Sequence, residues 1–162
     1  MMKKYSLFVL LIVAGTMVSF GQVRMGYAQT DKESYAGAEK CAMCHDDLVR
    51  SWKTTRHAKA LESLKKKSQD NLPSCVKCHV TGFQKDGGFV DQDLTPELAG
   101  IQCEACHGPA EGHVANPVNK KKLVVSPGES TCRTCHTVGQ DPKFDYSVKK
   151  KLVHGNNLKG DK

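Results

Sequence analysis

Apolar residues are unevenly spread along this chain. Leu7 to Phe20 is almost uninterrupted apolar sequence, behind Met1-Met2-Lys3-Lys4 and ahead of the small triplet Gly26-Tyr27-Ala28. A positive start, a short apolar run and a small-residue site are the parts of a secretory signal, expected over residues 1–28. The alternative, an uncleaved N-terminal anchor, fits less well because the run is short for a bilayer span. On either reading residues 29–162 leave the cytoplasm, and a periplasmic location is expected. No later apolar run is long enough to span a bilayer.

Beyond Ala28 the pattern breaks into short pieces. A segment starting at Asp46-Asp47 reads as helix, with Leu61 and Leu64 at i+4 and i+7 from His57. That spacing predicts His57 on the buried face. Val80 to Val90 reads as a small hairpin turning at Asp86-Gly87-Gly88. Pro73, Pro96, Pro109, Pro117, Pro127 and Pro142 divide the rest into short helices and loops. The expected fold is therefore mainly α with little regular structure and one small β-hairpin. Aromatic residues make up only 6% of the chain, too few large apolar groups for an ordinary core. A chain of this size needs staples.

The cysteines supply them. All eight fall into four pairs of one spacing: Cys41-Ala42-Met43-Cys44-His45, Cys75-Val76-Lys77-Cys78-His79, Cys103-Glu104-Ala105-Cys106-His107 and Cys132-Arg133-Thr134-Cys135-His136. Two thiols three positions apart match the two vinyl groups of one porphyrin, and the following His sits under the iron as proximal ligand. Zinc held by paired Cys-x-x-Cys and disulfides in an exported protein are the bland alternatives. Neither calls for His after every pair. Four covalently bound haem c groups are expected, each bringing an iron, and the haem plates themselves would form much of the interior of a compact multihaem cytochrome c fold. The motifs begin 34, 28 and 29 residues apart, but their flanks do not match, so they read as four uses of one motif in a single domain.

Each iron has a second axial position. Of the five Met, four precede residue 29 and Met43 lies inside a motif, so His/Met ligation is not expected. Met ligation raises haem potential, and its absence argues for a low-potential cytochrome. The His residues outside the motifs are His57, His113 and His154. Each could be an ordinary surface residue. As ligands, they would serve three of four irons and leave one without a strong sixth ligand. A stiff helix would carry His57 about 18 Å from His45, so His57 should ligate a different haem. His113 follows His107 by six residues across Gly108-Pro109, too short a path to wrap one porphyrin edge, and it too should serve a neighbour.

The formal charge of +7 falls to about +4 without Lys3, Lys4 and Arg24. Four haems with their propionates would add about −4 when oxidised and about −8 when reduced. The basic isoelectric point is thus no sign of nucleic-acid binding. The runs Lys65-Lys66-Lys67, Lys120-Lys121-Lys122 and Lys149-Lys150-Lys151 are either solvated faces or a docking surface for an acidic redox partner.

With motifs and spare His in hand, the sequence resembles the cytochrome c-554 family, the tetrahaem electron acceptors of hydroxylamine oxidoreductase. The resemblance runs from about Lys40 to His136 and rests on Ser51-Trp52-Lys53-x-Thr55-x-His57-Ala58-Lys59-Ala60-x-Glu62-Ser63-Leu64-Lys65, Cys75-Val76-x-Cys78-His79-Val80-x-Gly82-Phe83 and Cys103-Glu104-x-Cys106-His107-Gly108-Pro109. It implies that His113 ligates the first haem, His57 the fourth and His154 the third. The second, on Cys75, Cys78 and His79, would be five-coordinate, with room for a small ligand. It further implies a low-potential electron carrier working between redox proteins, with an oxidoreductase and a membrane quinone- or cytochrome-linked acceptor as candidate partners. The alternatives are reduction of nitric oxide or another nitrogen oxide at the second haem, and an electron-transfer subunit of a larger complex. No acid or base for such catalysis is visible. This chain is shorter than the family between His113 and Cys132 and after His136, which weakens the carry-over of the third haem's ligand and of the partner.

Overall fold

The computed structural model describes residues 34–155, so the segment 1–28 expected as a signal lies outside the described residues. Seven short α-helices occur in chain order: α1 Ala38–Lys53, α2 Ala60–Lys65, α3 Pro73–Val76, α4 Cys103–His107, α5 Glu111–Ala115, α6 Glu129–Arg133 and α7 Tyr146–Lys149. Single 3-10 turns lie at Pro96–Leu98 and Lys150–Leu152. Except for the 16-residue α1, none of these α-helices is longer than six residues. Helices this short do not hold themselves in water; long-range contacts must fix them. The mainly helical, loop-rich architecture is the one expected. Among the described residues, no helix is long and apolar enough to cross a membrane.

Two expected elements differ. The helix that was to reach His57 stops at Lys53, and α1 itself kinks at His45 (φ −118°, ψ 42°), so Asp46-Asp47 head its second half. Arg50 pairs with Asp46 at 3.1 Å and with Asp47. The stop has a local cause: Thr54 Oγ1 donates to Ser51 O at 2.7 Å, and Thr55 Oγ1 accepts from Ala58 N at 3.3 Å. Threonine hydroxyls thereby compete with the helical ladder. His57 sits in the resulting turn, half-buried, ahead of α2. Gly100 presses on this turn. A Cβ there would lie 2.6 Å from Ala58 O, and Gly100 has φ +81°, so only glycine serves. Ile101 N donates to His57 O at 2.9 Å and completes the clamp.

The second difference is Val80 to Val90. Among the described residues it forms no strand ladder; Val80 makes an isolated antiparallel bridge with Ala99 instead. Phe89 N does donate to Thr81 O at 3.0 Å, which closes the segment as a loop. Gly82, Gln84 and Gly87 all have positive φ, which strands do not tolerate. The loop is drawn so tight that a Cβ on Gly88 would lie 1.8 Å from Gly82 O.

Two small apolar clusters result. Leu61, Leu64, Val76, Val80, Phe89 and Leu98 form the larger, and Ala38, Val49 and Trp52 the smaller. Buried polar groups join the segments between them. The carboxylate of Glu104, only 3% exposed, accepts from Ala36 N (2.9 Å), Gly37 N (2.8 Å) and Ala110 N (2.7 Å). Gln102 takes Ala38 N at 2.6 Å and donates to the carbonyls of Glu97 and Ala99. Trp52 Nε1 donates to Ile101 O at 2.9 Å. The start of α1 is thus tied directly to the third motif.

Candidate cofactor sites

The first and third Cys-x-x-Cys-His motifs lie within helices, and the other two begin in one. In a helical turn, residues three and four positions on from the first Cys share its face, so both thiols and the His come to one side. At the second motif Cys78 N donates to Cys75 O and His79 N to Val76 O. At the fourth, Cys135 N and His136 N both donate to Cys132 O. Among the described residues the eight cysteines form no disulfide. Among the described residues, no three His, Cys, Asp or Glu side chains converge as a zinc site requires.

The histidine rings are held by the nitrogen that an iron would not use. His79 Nδ1 lies 2.7 Å from Ala60 O, His107 Nδ1 2.7 Å from Val124 O, and His136 Nδ1 2.9 Å from Asp141 Oδ2. The spare His113 follows the same rule, with Nδ1 3.2 Å from Asn119 O. A carbonyl or carboxylate oxygen only accepts, so each Nδ1 carries the proton and donates. That leaves the Nε2 lone pair for a metal, the usual arrangement of a metal-bound His.

Two spare His meet motif His across the fold. The ring centres of His57 and His136 are 6.1 Å apart, tilted by 55°. Those of His107 and His154 are also 6.1 Å apart, tilted by 14°. Two metal–imidazole bonds of about 2 Å each, with roughly 1.1 Å from nitrogen to ring centre, call for about 6.2 Å. Both pairs therefore have the room one iron needs. Burial, helped by the neighbouring His136, pushes the His57 imidazole below the ordinary His pKa and keeps it neutral, as a ligand must be. Among the described residues, no such ring pair joins His45 and His113, or His79 and another His.

The thiols also pair. The Cys41 and Cys103 thiols lie against each other; their hydrogen bond, with burial, pushes Cys41 up, and the same hydrogen bond pulls Cys103 down. Burial, with a hydrogen bond to Cys135, pushes Cys78 up to about 11. The first motif thus lies against the third, and the second against the fourth. Met43, Val124, Val125 and Val138, beside or inside the motif regions, expose 73%, 49%, 79% and 79% of their surface. Four flat apolar plates would give such side chains something to cover. The two thiols and His that each motif turn presents, the open Nε2 atoms, the iron-sized gaps and this uncovered apolar surface all fit haem c.

Asp141, Glu104 and Gln102 are the polar residues that motif reading alone missed. The signal for Asp141 was its place five residues after the fourth motif's His136. Glu104 sits in a motif spacer, a position with no role in attachment, and its three bonds, two of them buried, belong to contacts 6 to 68 residues away.

Short helices strung on four Cys-x-x-Cys-His turns, with histidines presented in pairs, define a multihaem c-type cytochrome. The sequence pattern of the family described as "Cytochrome c554 and c-prime" matches residues 40–108. Cytochrome c-554 of Nitrosomonas europaea is 34% identical over 127 residues, covering 68% of this chain and 54% of the relative. The multiheme cytochrome MtrA of Shewanella baltica is 32% identical over 91 residues, covering 47% of this chain and 26% of that protein. The reduced-state structure of Nitrosomonas europaea cytochrome c554 superposes with a TM-score of 0.61 at 28% identity, covering 76% of this chain and 85% of that one. The chain belongs to the cytochrome c-554 family, whose members are tetrahaem c-type cytochromes carrying haem c. It spans about half the length of the curated cytochrome c-554 it matches.

Proposed function

We propose that this protein is an exported tetrahaem cytochrome that passes electrons one at a time between redox proteins. The observation that carries it is the pair of 6.1 Å histidine gaps, each joining a motif to a His from elsewhere. Cross-ligation of this kind forces the cofactors of a small chain together. Cys41, Cys44, Cys75, Cys78, Cys103, Cys106, Cys132 and Cys135 would hold four haems covalently. His45, His79, His107 and His136 would be proximal ligands. His57 would face the fourth iron, His154 the third and His113 the first; the resemblance alone supports the last. Haem supplies reversible one-electron ferric/ferrous chemistry. The protein contributes ligand basicity, spacing and field. His57 and His154 would tie the segments that carry them to the fourth and third haems, and the carbonyls of Ala60 and Val124 fix the tautomers of the His79 and His107 rings. Residues 1–28 would direct export to the periplasm, and the Lys runs would face an acidic redox partner. The nitrogen-oxide and hydroxylamine setting that the sequence resemblance implies is the pathway we favour.

A second reading rests on His79. Among the described residues it has no histidine ring partner, and the count of seven His leaves one of eight axial positions unfilled. A small nitrogen oxide could bind such an iron. Spectroelectrochemical titration of the pure protein tests the main reading: reversible one-electron steps at low potential, with no turnover of nitric oxide, nitrite or hydroxylamine. Sustained turnover would replace it with the second.

A further inference from the structure

At the fourth motif His136 is gripped from two directions. Its Nδ1 donates to Asp141 Oδ2 at 2.9 Å, and the Phe144 ring stacks on it at 4.5 Å and 22°. Asp141 is itself held: its N–H donates to Thr137 O at 2.8 Å, and its carbonyl accepts from Phe144 N at 3.1 Å. Arg133 packs over the Phe144 ring and is committed elsewhere, to Glu129 at 3.0 Å and to the carbonyls of His136 and Phe144. The Asp141 charge therefore acts on the imidazole and is not spent on an arginine.

The other ring partners are neutral. His79, His107 and His113 donate to the backbone carbonyls of Ala60, Val124 and Asn119. A carboxylate draws the Nδ1 proton more strongly than a carbonyl. The imidazole becomes a stronger donor at Nε2 and favours ferric iron over ferrous. The third and fourth sites form a matched comparison. Each joins a motif His to a His from elsewhere at 6.1 Å, and they differ in the partner of the proximal Nδ1.

We propose that Asp141 is a positioning residue that lowers the reduction potential of the fourth haem through His136 and makes that haem the lower of the matched pair. The inference rests on the proposed ligation of one iron by His57 and His136. Asp141 is about one-third exposed, so solvent screens part of its effect.

The test is a redox titration of the holoprotein followed by electron paramagnetic resonance. The 55° and 14° ring tilts give the two sites different low-spin signals. In the unmodified protein the signal of the 55° site should persist to the lower potential. Asp141→Asn, which keeps an oxygen acceptor but removes the charge, should ease reduction of that haem by about tenfold, or about 59 mV for one electron. It should leave the third haem unmoved and every spin state unchanged. Asp141→Glu should restore the original value. The proposal is overturned if the 55° site reduces before the 14° site, if Asp141→Asn moves no haem upward, or if it moves all haems together. His57→Ala separates the two layers. One haem turning high-spin while Asp141→Asn moves nothing leaves the ligation standing and sinks the role of Asp141. No change of spin state in His57→Ala sinks both.

Discussion

Replacing Glu104 tests how the fold is held where it has little core. Its carboxylate is buried and accepts from Ala36 and Ala110 through Oε1 and from Gly37 through Oε2. Glu104→Ala removes all three acceptors. The Gly37 and Ala110 donors are buried, while the Ala36 bond is only partly so. A buried donor left unpaired costs about 1–3 kcal/mol, so two of them cost roughly 2–6 kcal/mol. Water entering the space left by the side chain would hold the loss near 4 kcal/mol. Glu104→Gln offers a finer version: its oxygen can keep the Ala36 and Ala110 bonds, but its amide would point a donor at Gly37 N–H. A loss of about 1–3 kcal/mol is expected there. The assay is urea unfolding of the haem-loaded protein, followed by far-ultraviolet circular dichroism. With a slope near 2 kcal/mol per molar, the midpoint should fall by roughly 2 M for Glu104→Ala and by about half that for Glu104→Gln. A Glu104→Ala midpoint within about 0.3 M of wild type would refute the reasoning, and equal losses in both variants would show that the Oε1 bonds carry nothing.

Three further outcomes are expected. The purified chain should stain for haem on denaturing gels and carry the mass of four haems; a zinc-loaded, haem-free product from a host able to mature c-type cytochromes would contradict it. His57→Ala should convert the fourth haem to high spin and leave the first low-spin, as read by its electron paramagnetic resonance; a high-spin first haem would mean the ligand assignment is wrong. The resting protein should show about three low-spin haems to one high-spin, with His79 holding the open iron and nitric oxide binding there. Four low-spin haems would remove the open site and the enzyme reading with it.

What the sequence determined by itself is the chemistry confined to five consecutive residues. Cys-x-x-Cys-His needs only one helical turn to present two thiols and a ring together, so its meaning survives whatever the rest of the chain does. The shortage of aromatics and the scattered prolines likewise announced short helices and a weak core. The tertiary structure decided everything that depends on distant segments meeting. The apolar spacing around His57 predicts a continuing helix, yet the helix ends at Lys53, because Thr54 and Thr55 hydroxyls bond backbone groups that the ladder would have used. The encounter of His57 with His136 comes from a turn clamped by Gly100 and Ile101, 43 and 44 residues away in sequence. The segment Val80 to Val90 carried a turn signal at Asp86-Gly87-Gly88, but its glycines close a loop that leaves no room for paired strands. Glu104 under the first helix leaves no local trace, since a buried carboxylate looks like any surface acid until the fold brings its donors to it, two of them 67 and 68 residues away. Local covalent geometry is written in short spacings. Hydrogen bonds and ligand pairs between remote segments exist only once the backbone has closed around them.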